Sequence, residues 1–268
     1  MADDTDDTQG RGYPDAIVRP VTAARTITTE RFAVSPALAG HVDYHWHVGW
    51  ELEHPHDQQI IPQPRIHVAA EQGRLLVHGI GRRPFIRHLT GRGHTLGVSF
   101  LPGLFRPVLG SRVSAIADQV VPAQDLLDVD DRPAAERILT STDPAEMAAA
   151  MESYLLEVGL PSDPVAEDVR RWVTLAEDDR SITRAEQLAD RAGVSLRSLQ
   201  RLFSEYVGIG PKWVVQRFRV LEVAARAHSG DVDWAAVAAE LDFSDQAHLV
   251  RTFRDVVGAP PATYAKDL

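Results

Sequence analysis

Apolar and polar positions alternate from His41 to Leu52 without interruption: Val42, Tyr44, Trp46, Val48, Trp50 and Leu52 on one side, His41, Asp43, His45, His47, Gly49 and Glu51 on the other. A period of two sustained this long predicts a half-buried β-strand with the aromatic stripe in the core. Shorter strands are predicted at Ile66–Glu71, Arg74–Gly79, Phe85–Leu89 and Thr95–Phe100, divided by Gly- and Pro-bearing turns. After about Ser114 the period becomes helical. Pro144–Val158 puts Met147, Met151, Tyr154, Leu155 and Val158 on one stripe, expected to pack on the strands of the same chain. Asp163-Pro164 supplies an N-cap and a first-turn proline, and Val169, Trp172, Val173 and Ala176 then share a face. Further helices are expected at Arg184–Ala192, Leu196–Tyr206, Pro211 to about His228, Trp234–Leu241 and Asp245–Val256, with a last turn from Pro261. Ser195, Asp233 and Ser244 are the expected caps.

Two of these helical stretches repeat one another. Leu199, Arg201, Phe203, Gly208 and Pro211 recur as Leu249, Arg251, Phe253, Gly258 and Pro261, so L-x-R-x-F-x4-G-x2-P appears twice at a spacing of fifty. Each copy is preceded by a short helix, a tight turn and a Ser, which is the order of a helix-turn-helix. A duplicated unit of this kind suggests two copies of one recognition device. In each, the apolar stripe leaves long polar side chains on the other faces. Gln200 and Arg201 in one helix, with Gln246, His248 and Arg251 in the other, suit the acceptors of guanine and the donor–acceptor pair of adenine in a major groove. The bland alternative is that Arg201 and Arg251 close salt bridges inside a helical bundle.

Charge bears on this. The chain has 268 residues and a net charge of −10, unfavourable overall for a polyanion partner. The segment Leu196–Arg219, however, carries Arg197, Arg201, Lys212, Arg217 and Arg219 against Glu205 alone, and phosphate affinity follows local charge. There is no cysteine, which excludes disulfides, thiolate zinc sites and thiol catalysis. No membrane-length apolar run or signal-peptide pattern is present, so a cytoplasmic location is expected and no membrane partner.

The segment from about Asp163 to Tyr264 resembles the DNA-binding domain of AraC/XylS-type transcriptional regulators. The matching residues are Ala189, Gly193, Ser195 to Phe203, Gly208, Pro211-Lys212 and Arg219, then Ala238, Phe243 to Leu249, Arg251, Phe253-Arg254, Gly258, Pro261 and Tyr264. The resemblance implies sequence-specific binding of double-stranded DNA through Arg197, Gln200, Arg201, Lys212, Gln246, Ala247, His248 and Arg251. It implies RNA polymerase as a partner if the protein activates. One departure is Asp242, standing where the second turn usually has Gly; Asp tolerates a left-handed conformation better than most residues. The run Tyr44-His45-Trp46-His47 with Trp50, Pro62, His78-Gly79, Gly97 to Phe100 and Pro102-Gly103 resembles the cupin-like N-terminal domain of a subset of these regulators. That implies a sensory or dimerising role, with a small-molecule effector and a second copy of the chain as candidate partners.

The expected fold is therefore α+β. A cupin-like β-barrel or sandwich precedes an all-α domain of about seven helices holding two helix-turn-helix units. The division expected is a disordered tail over 1–12, a β-rich sensor or dimerisation domain over 13–112, a helical connector over 113–162 and the DNA-binding domain over 163–268. No cofactor or enzymatic activity is expected. The rival reading comes from the histidines, nine of eleven of which lie between His41 and His94. His45-x-His47-x3-Glu51 coincides with the first metal motif of true cupins, which would make a metal-dependent enzyme with a helical assembly domain. Against it, Pro102-Gly103-Leu104-Phe105-Arg106 lacks the second motif's histidine. A third reading is a ligand-binding adaptor that has lost DNA binding. Arg82-Arg83 and Arg106 are weak candidates for an anionic ligand.

Overall fold

The computed structural model describes residues 27–227 and 232–266; the expected acidic tail, the start of the β-domain at 13 and the end of the long helix at His228 lie outside them. Among the described residues eight strands precede and interleave with the first helices: β1 (Ile27–Phe32), β2 (Val42–Glu51), β3 (His56–Ile60), β4 (His67–Glu71), β5 (Arg74–His78), β6 (Phe85–Leu89), β7 (Arg92–Phe100) and β8 (Val120–Pro122). Six form one antiparallel sheet in the order β1-β2-β7-β4-β5-β8, while β3 and β6 make a two-stranded sheet. The small sheet lies over one face of the large one. Arg87 of β6 is ion-paired with Glu71 of β4, and the Phe85 ring meets His78 edge-on at 5.6 Å. With β8 the sheet runs past residue 112, into the stretch expected to be helical connector.

The long strand formed where the alternation placed it, but with its faces exchanged. A bulge between Val42 and Tyr44 shifts the pairing with β7, so that Val42 lies opposite Phe100 while His45 lies opposite Val98. One extra residue reverses every later side chain. Val42 therefore shares its face with His45 and His47 instead of with the aromatic stripe. That face holds the core: Val42, Leu96, Val98 and Phe100 are buried, and His45 is 0% exposed. Tyr44, Trp46 and Trp50 are only half-buried on the other face. There Trp46 and Trp50 lie against Gly97 and Gly93, where a Cβ would sit 2.4 and 2.5 Å from their rings, so these two glycines leave the room the indoles need.

The helices that cover the His45 face are α3 (Arg132–Thr140) and α4 (Pro144–Val158), which follow two short ones, α1 (Arg106–Leu109) and α2 (Ala123–Leu127). Asp143 caps α4 by accepting from the Ala145 amide. Met147, Met151, Tyr154 and Leu155 of its predicted stripe are buried, in cis as expected. Glu152 reaches in to His45, with Oε1 3.0 Å from Nε2, and also accepts from the Ser35 amide at 2.8 Å. Burial pulls the His45 pKa below its ordinary value despite the opposing pull of Glu152. The metal reading loses its ligand set here. His45 Nε2 is already engaged, and Glu51 stands four residues beyond His47 along an extended strand, about 13 Å away. Among the described residues no group of three or more His, Cys, Asp or Glu is gathered as a metal ion needs.

On the other face the His67 ring stands edge-on to Trp46 at 6.2 Å. Desolvation, with the like charges of His78, Arg65 and Arg31 adding to it, pushes its pKa down to about 3 from 6.5. The unfolded chain takes up a proton near 6.5 and the folded chain does not, so stability is intact above that pH and falls as pH drops toward the folded value. At about pH 5 this group should cost the fold about 1–2 kcal/mol relative to neutral pH. Urea melts of wild type and His67→Gln at both pH values check it: the substitution should flatten the acid side, and identical slopes would contradict the assignment.

Among the described residues seven α-helices follow, as the periodicity predicted: α5 (Pro164–Asp178), α6 (Ala185–Ala192), α7 (Leu196–Leu202), α8 (Pro211–Ala227), α9 (Trp234–Glu240), α10 (Gln246–Val257) and α11 (Pro261–Lys266). Asp163 caps α5 and receives the Tyr206 hydroxyl at 3.0 Å. One contiguous hydrophobic core runs through both halves of the chain. Helix α8 is its axis, with Val214, Val215, Phe218, Val220, Leu221, Val223 and Ala224 buried around its circumference. Arg217 is caught in the same packing. It is 3% exposed, its guanidinium lies 4.4 Å from the Trp213 ring centre, and burial lowers its pKa to about 10. Among the described residues its one hydrogen bond is a long one, 3.4 Å to the Arg82 carbonyl. Polar ties also join the halves: Gln59 Nε2 donates to the Val257 carbonyl at 3.0 Å, and Arg65 faces Glu177 at 3.8 Å. Of the arginines expected to await an anion, Arg82 is paired with Asp118 and Arg106 with Glu205.

Candidate nucleic-acid interface

Each repeat unit turns sharply between its two helices and then caps the second. In the first, Gly193 takes φ 68° and the Val194 amide closes onto the Ala189 carbonyl at 3.1 Å. Ser195 then accepts from the Ser198 amide at 3.1 Å and starts α7. In the second, Asp242 takes φ 57°, as the substitution for Gly requires, and the Phe243 amide closes onto the Ala238 carbonyl at 2.8 Å. The cap of α10 is Asp245, accepting from the His248 amide at 2.6 Å, and not the expected Ser244. The reason is an inserted residue. Ala189 and Ala238 are 49 apart, whereas Leu199 and Leu249 are 50 apart, so Asp245 and not Ser244 is the counterpart of Ser195.

With that register, Arg197 corresponds to Ala247, Ser198 to His248, Gln200 to Val250, and Arg201 to Arg251. Arg197, Gln200, Arg201, Lys212, Gln246, Ala247 and Arg251 are all exposed, and His248 is half-buried. Arg197, Lys212 and Arg251 have no ion pair among the described residues, while Arg201 faces Glu205 of its own helix at 3.6 Å. His248 Nδ1 accepts from the Ser244 amide at 3.3 Å, which leaves the proton on Nε2 and makes the outer edge of the ring a donor. Sequence reasoning matched Arg254 to the repeat but gave it no DNA contact; it is exposed one turn beyond Arg251 at the counterpart of Ser204. The fifty-residue offset, applied along the whole helix, would have found it.

The other arginines of this region are structural. Arg217 is buried, and Arg219 donates through Nε to the Leu241 carbonyl at 2.8 Å while its guanidinium lies 4.1 Å from the Phe243 ring centre. The cations left to face a phosphate in the first unit are Arg197, Arg201 and Lys212, fewer than the sequence count. Arg219 fastens the second unit to α8. A second tie bypasses that helix: Thr183 donates to Asp242 at 2.8 Å and Arg184 pairs with the same carboxylate at 3.2 Å. Asp242 therefore joins the turn of one unit to the entrance of the other.

Residues 188–267 match a family model described as a helix-turn-helix domain. A putative AraC-like transcription regulator of Streptomyces lividans is 34% identical over 87 residues, which is 32% of this chain and 28% of that protein. The probable transcription factor PqrA of Proteus vulgaris is 24% identical over 106 residues, 40% of this chain and 87% of that one. Residues 188–267 thus form a helix-turn-helix domain that is similar to part of an AraC-like regulator. The solved DNA-binding domain of AdpA, in complex with a target DNA, is similar to this part of the chain at 30% identity, with a TM-score of 0.32, covering 39% of this chain and 92% of that one. Residues 30–122 match a separate family model, a domain of unknown function (DUF6597). The helix-turn-helix model thus covers the helical repeat, and a separate model covers the strands. No helix among the described residues is long and apolar enough to cross a membrane.

Proposed function

We propose that the chain is a sequence-specific DNA-binding transcription regulator, with α7 and α10 as a pair of recognition helices entering successive major grooves roughly 34 Å apart. The observation that carries this reading is the contrast among the arginines. Arg217, Arg219 and Arg184 are committed to packing or to ties between the units, whereas Arg201 and Arg251 stand exposed at equivalent positions of two capped helices. Arg201 and Arg251 suit guanine, Gln200 and Gln246 suit adenine, Ala247 offers a methyl to thymine, and Arg197 and Lys212 reach phosphate.

The strands with helices α1 to α4 serve as the sensor or dimerisation part, and the DNA-binding part begins at about Asp163. An effector acts on DNA affinity only by binding one arrangement of the two parts better than another. A titration of the full chain against duplexes tiling its own upstream DNA, at several salt concentrations, tests the function. One duplex should bind at least about 1000-fold more tightly than a scrambled one, with affinity falling steeply as salt rises. Equal binding to every duplex, or none, would refute the reading.

A further inference from the structure

Glu205 lies one turn after Arg201, in a π-helical turn (Phe203–Val207) that continues α7. Its two carboxylate oxygens face different cations. Oε2 faces Arg201 Nη1 at 3.6 Å, and Oε1 accepts from Arg106 Nη2 at 3.1 Å. Arg106 comes from the other half of the chain, as the first residue of α1, and its guanidinium is also 5.4 Å from the Tyr206 ring centre. The backbones of the two halves are in direct contact there. A Cβ on Gly208, at the end of the π turn, would stand 2.9 Å from the Val113 side chain and 3.3 Å from its backbone, so the segment after α1 is packed directly against the end of the recognition helix.

The geometry points to Glu205 as a restraint on Arg201, and to Arg106 as the group through which the β-rich half sets how freely Arg201 can leave it. The inference rests on Arg201 reading a base edge. To do so, Arg201 must give up the carboxylate, which is then left beside a polyanion. With Arg106 in place that carboxylate keeps a counter-charge, and the departure of Arg201 is cheap. With Arg106 withdrawn, Glu205 holds Arg201 more strongly and repels the phosphates. Any event in the β-rich half that moves α1 would change DNA affinity through this one carboxylate, with no movement of the recognition helix itself.

A double-mutant cycle on the full chain tests this, using the specific and the scrambled duplex at fixed salt. Arg106→Gln should weaken specific binding by about 3–10-fold, as expected for losing a partly exposed charge partner. Glu205→Gln should bind a few-fold more tightly than wild type, since Arg201 then has no carboxylate to leave, and Arg106→Gln added to it should have no further effect. Arg106→Gln should also be silent in an Arg201→Ala background, and Arg106→Lys should stay close to wild type. A merely structural role for Arg106 would weaken binding equally with Glu or Gln at 205. That result, or a silent Arg106→Gln in the wild-type background, overturns the inference while leaving the regulator reading intact. Wild-type binding without sequence preference, or full binding by Arg201→Ala, overturns the base-reading role and this inference with it. Thermal melts of each variant exclude loss of fold, and weaker binding by a Glu205→Gln protein that melts with wild type would also overturn the inference.

Discussion

Arg201→Ala and Arg251→Ala will each weaken binding to the specific duplex by about 1–3 kcal/mol, and the two together will remove most of the preference for it over a scrambled sequence. The loss comes from an exposed guanidinium that presents two parallel donors to guanine N7 and O6, which no neighbouring side chain can replace. The two sites should not be equal. Arg201 must release Glu205 to reach a base, whereas Arg251 has no ion pair among the described residues to give up. Arg251→Ala should therefore cost more than Arg201→Ala. Lys212→Ala, by contrast, should weaken all duplexes alike and reduce the slope of log affinity against log salt by about one contact. Anisotropy titrations of the variants on both duplexes at three salt concentrations separate these outcomes. Unchanged binding in both arginine variants would remove the two helices from the groove.

How far the sequence foretold this interface depends on whether the deciding contacts are local. Helix starts and turns are local: Asp163, Ser195 and Asp233 cap where the pattern put them, and Gly193 and Asp242 both take positive φ. The second recognition helix was misjudged by one residue because the inserted position falls in the turn, where the hydrophobic period gives no register. Distant contacts were harder to read. The bulge at Val42/Tyr44 is set by pairing with β7, fifty residues on, and it inverted the predicted core face. Strand β3, with the sequence HDQQI, has no apolar alternation, and β8 has three residues ending in proline, so both depended on partners that the sequence does not mark. Arg217 was counted as a surface cation although it follows Val214 and precedes Phe218 on a helix buried all round. Its neighbours Trp213 and the Arg82 carbonyl hold it inside, and only the second lies far away in the chain.

Phe253→Ala should cost about 3–5 kcal/mol of stability, the largest single effect expected in the helix-turn-helix domain. The ring is 0% exposed and sits 5.5 Å from the Tyr264 ring at 64°. Truncation removes the apolar area of the ring, the edge-to-face contact worth about 0.5–1.5 kcal/mol, and the support for Tyr264. The space cannot refill cheaply. Leu249 and Val257 on the same helix are buried already, and the chain just beyond is held by Gly258 at φ 87° and by Pro261, where α11 begins. Phe253→Leu keeps most of the volume and should cost about 1.5 kcal/mol or less. Against a total of about 5–15 kcal/mol for a domain, the alanine variant should leave α10 and α11 poorly folded at physiological temperature. DNA binding should then be lost on warming and recovered on cooling, unlike Arg251→Ala, whose deficit should persist at every temperature at which the fold is intact. Calorimetric melts paired with titrations at low and high temperature read the difference. A Phe253→Ala protein that melts with wild type would mean that the repeat's shared phenylalanine does not anchor the second recognition helix, and the equivalence of the two units would fail at its most buried position.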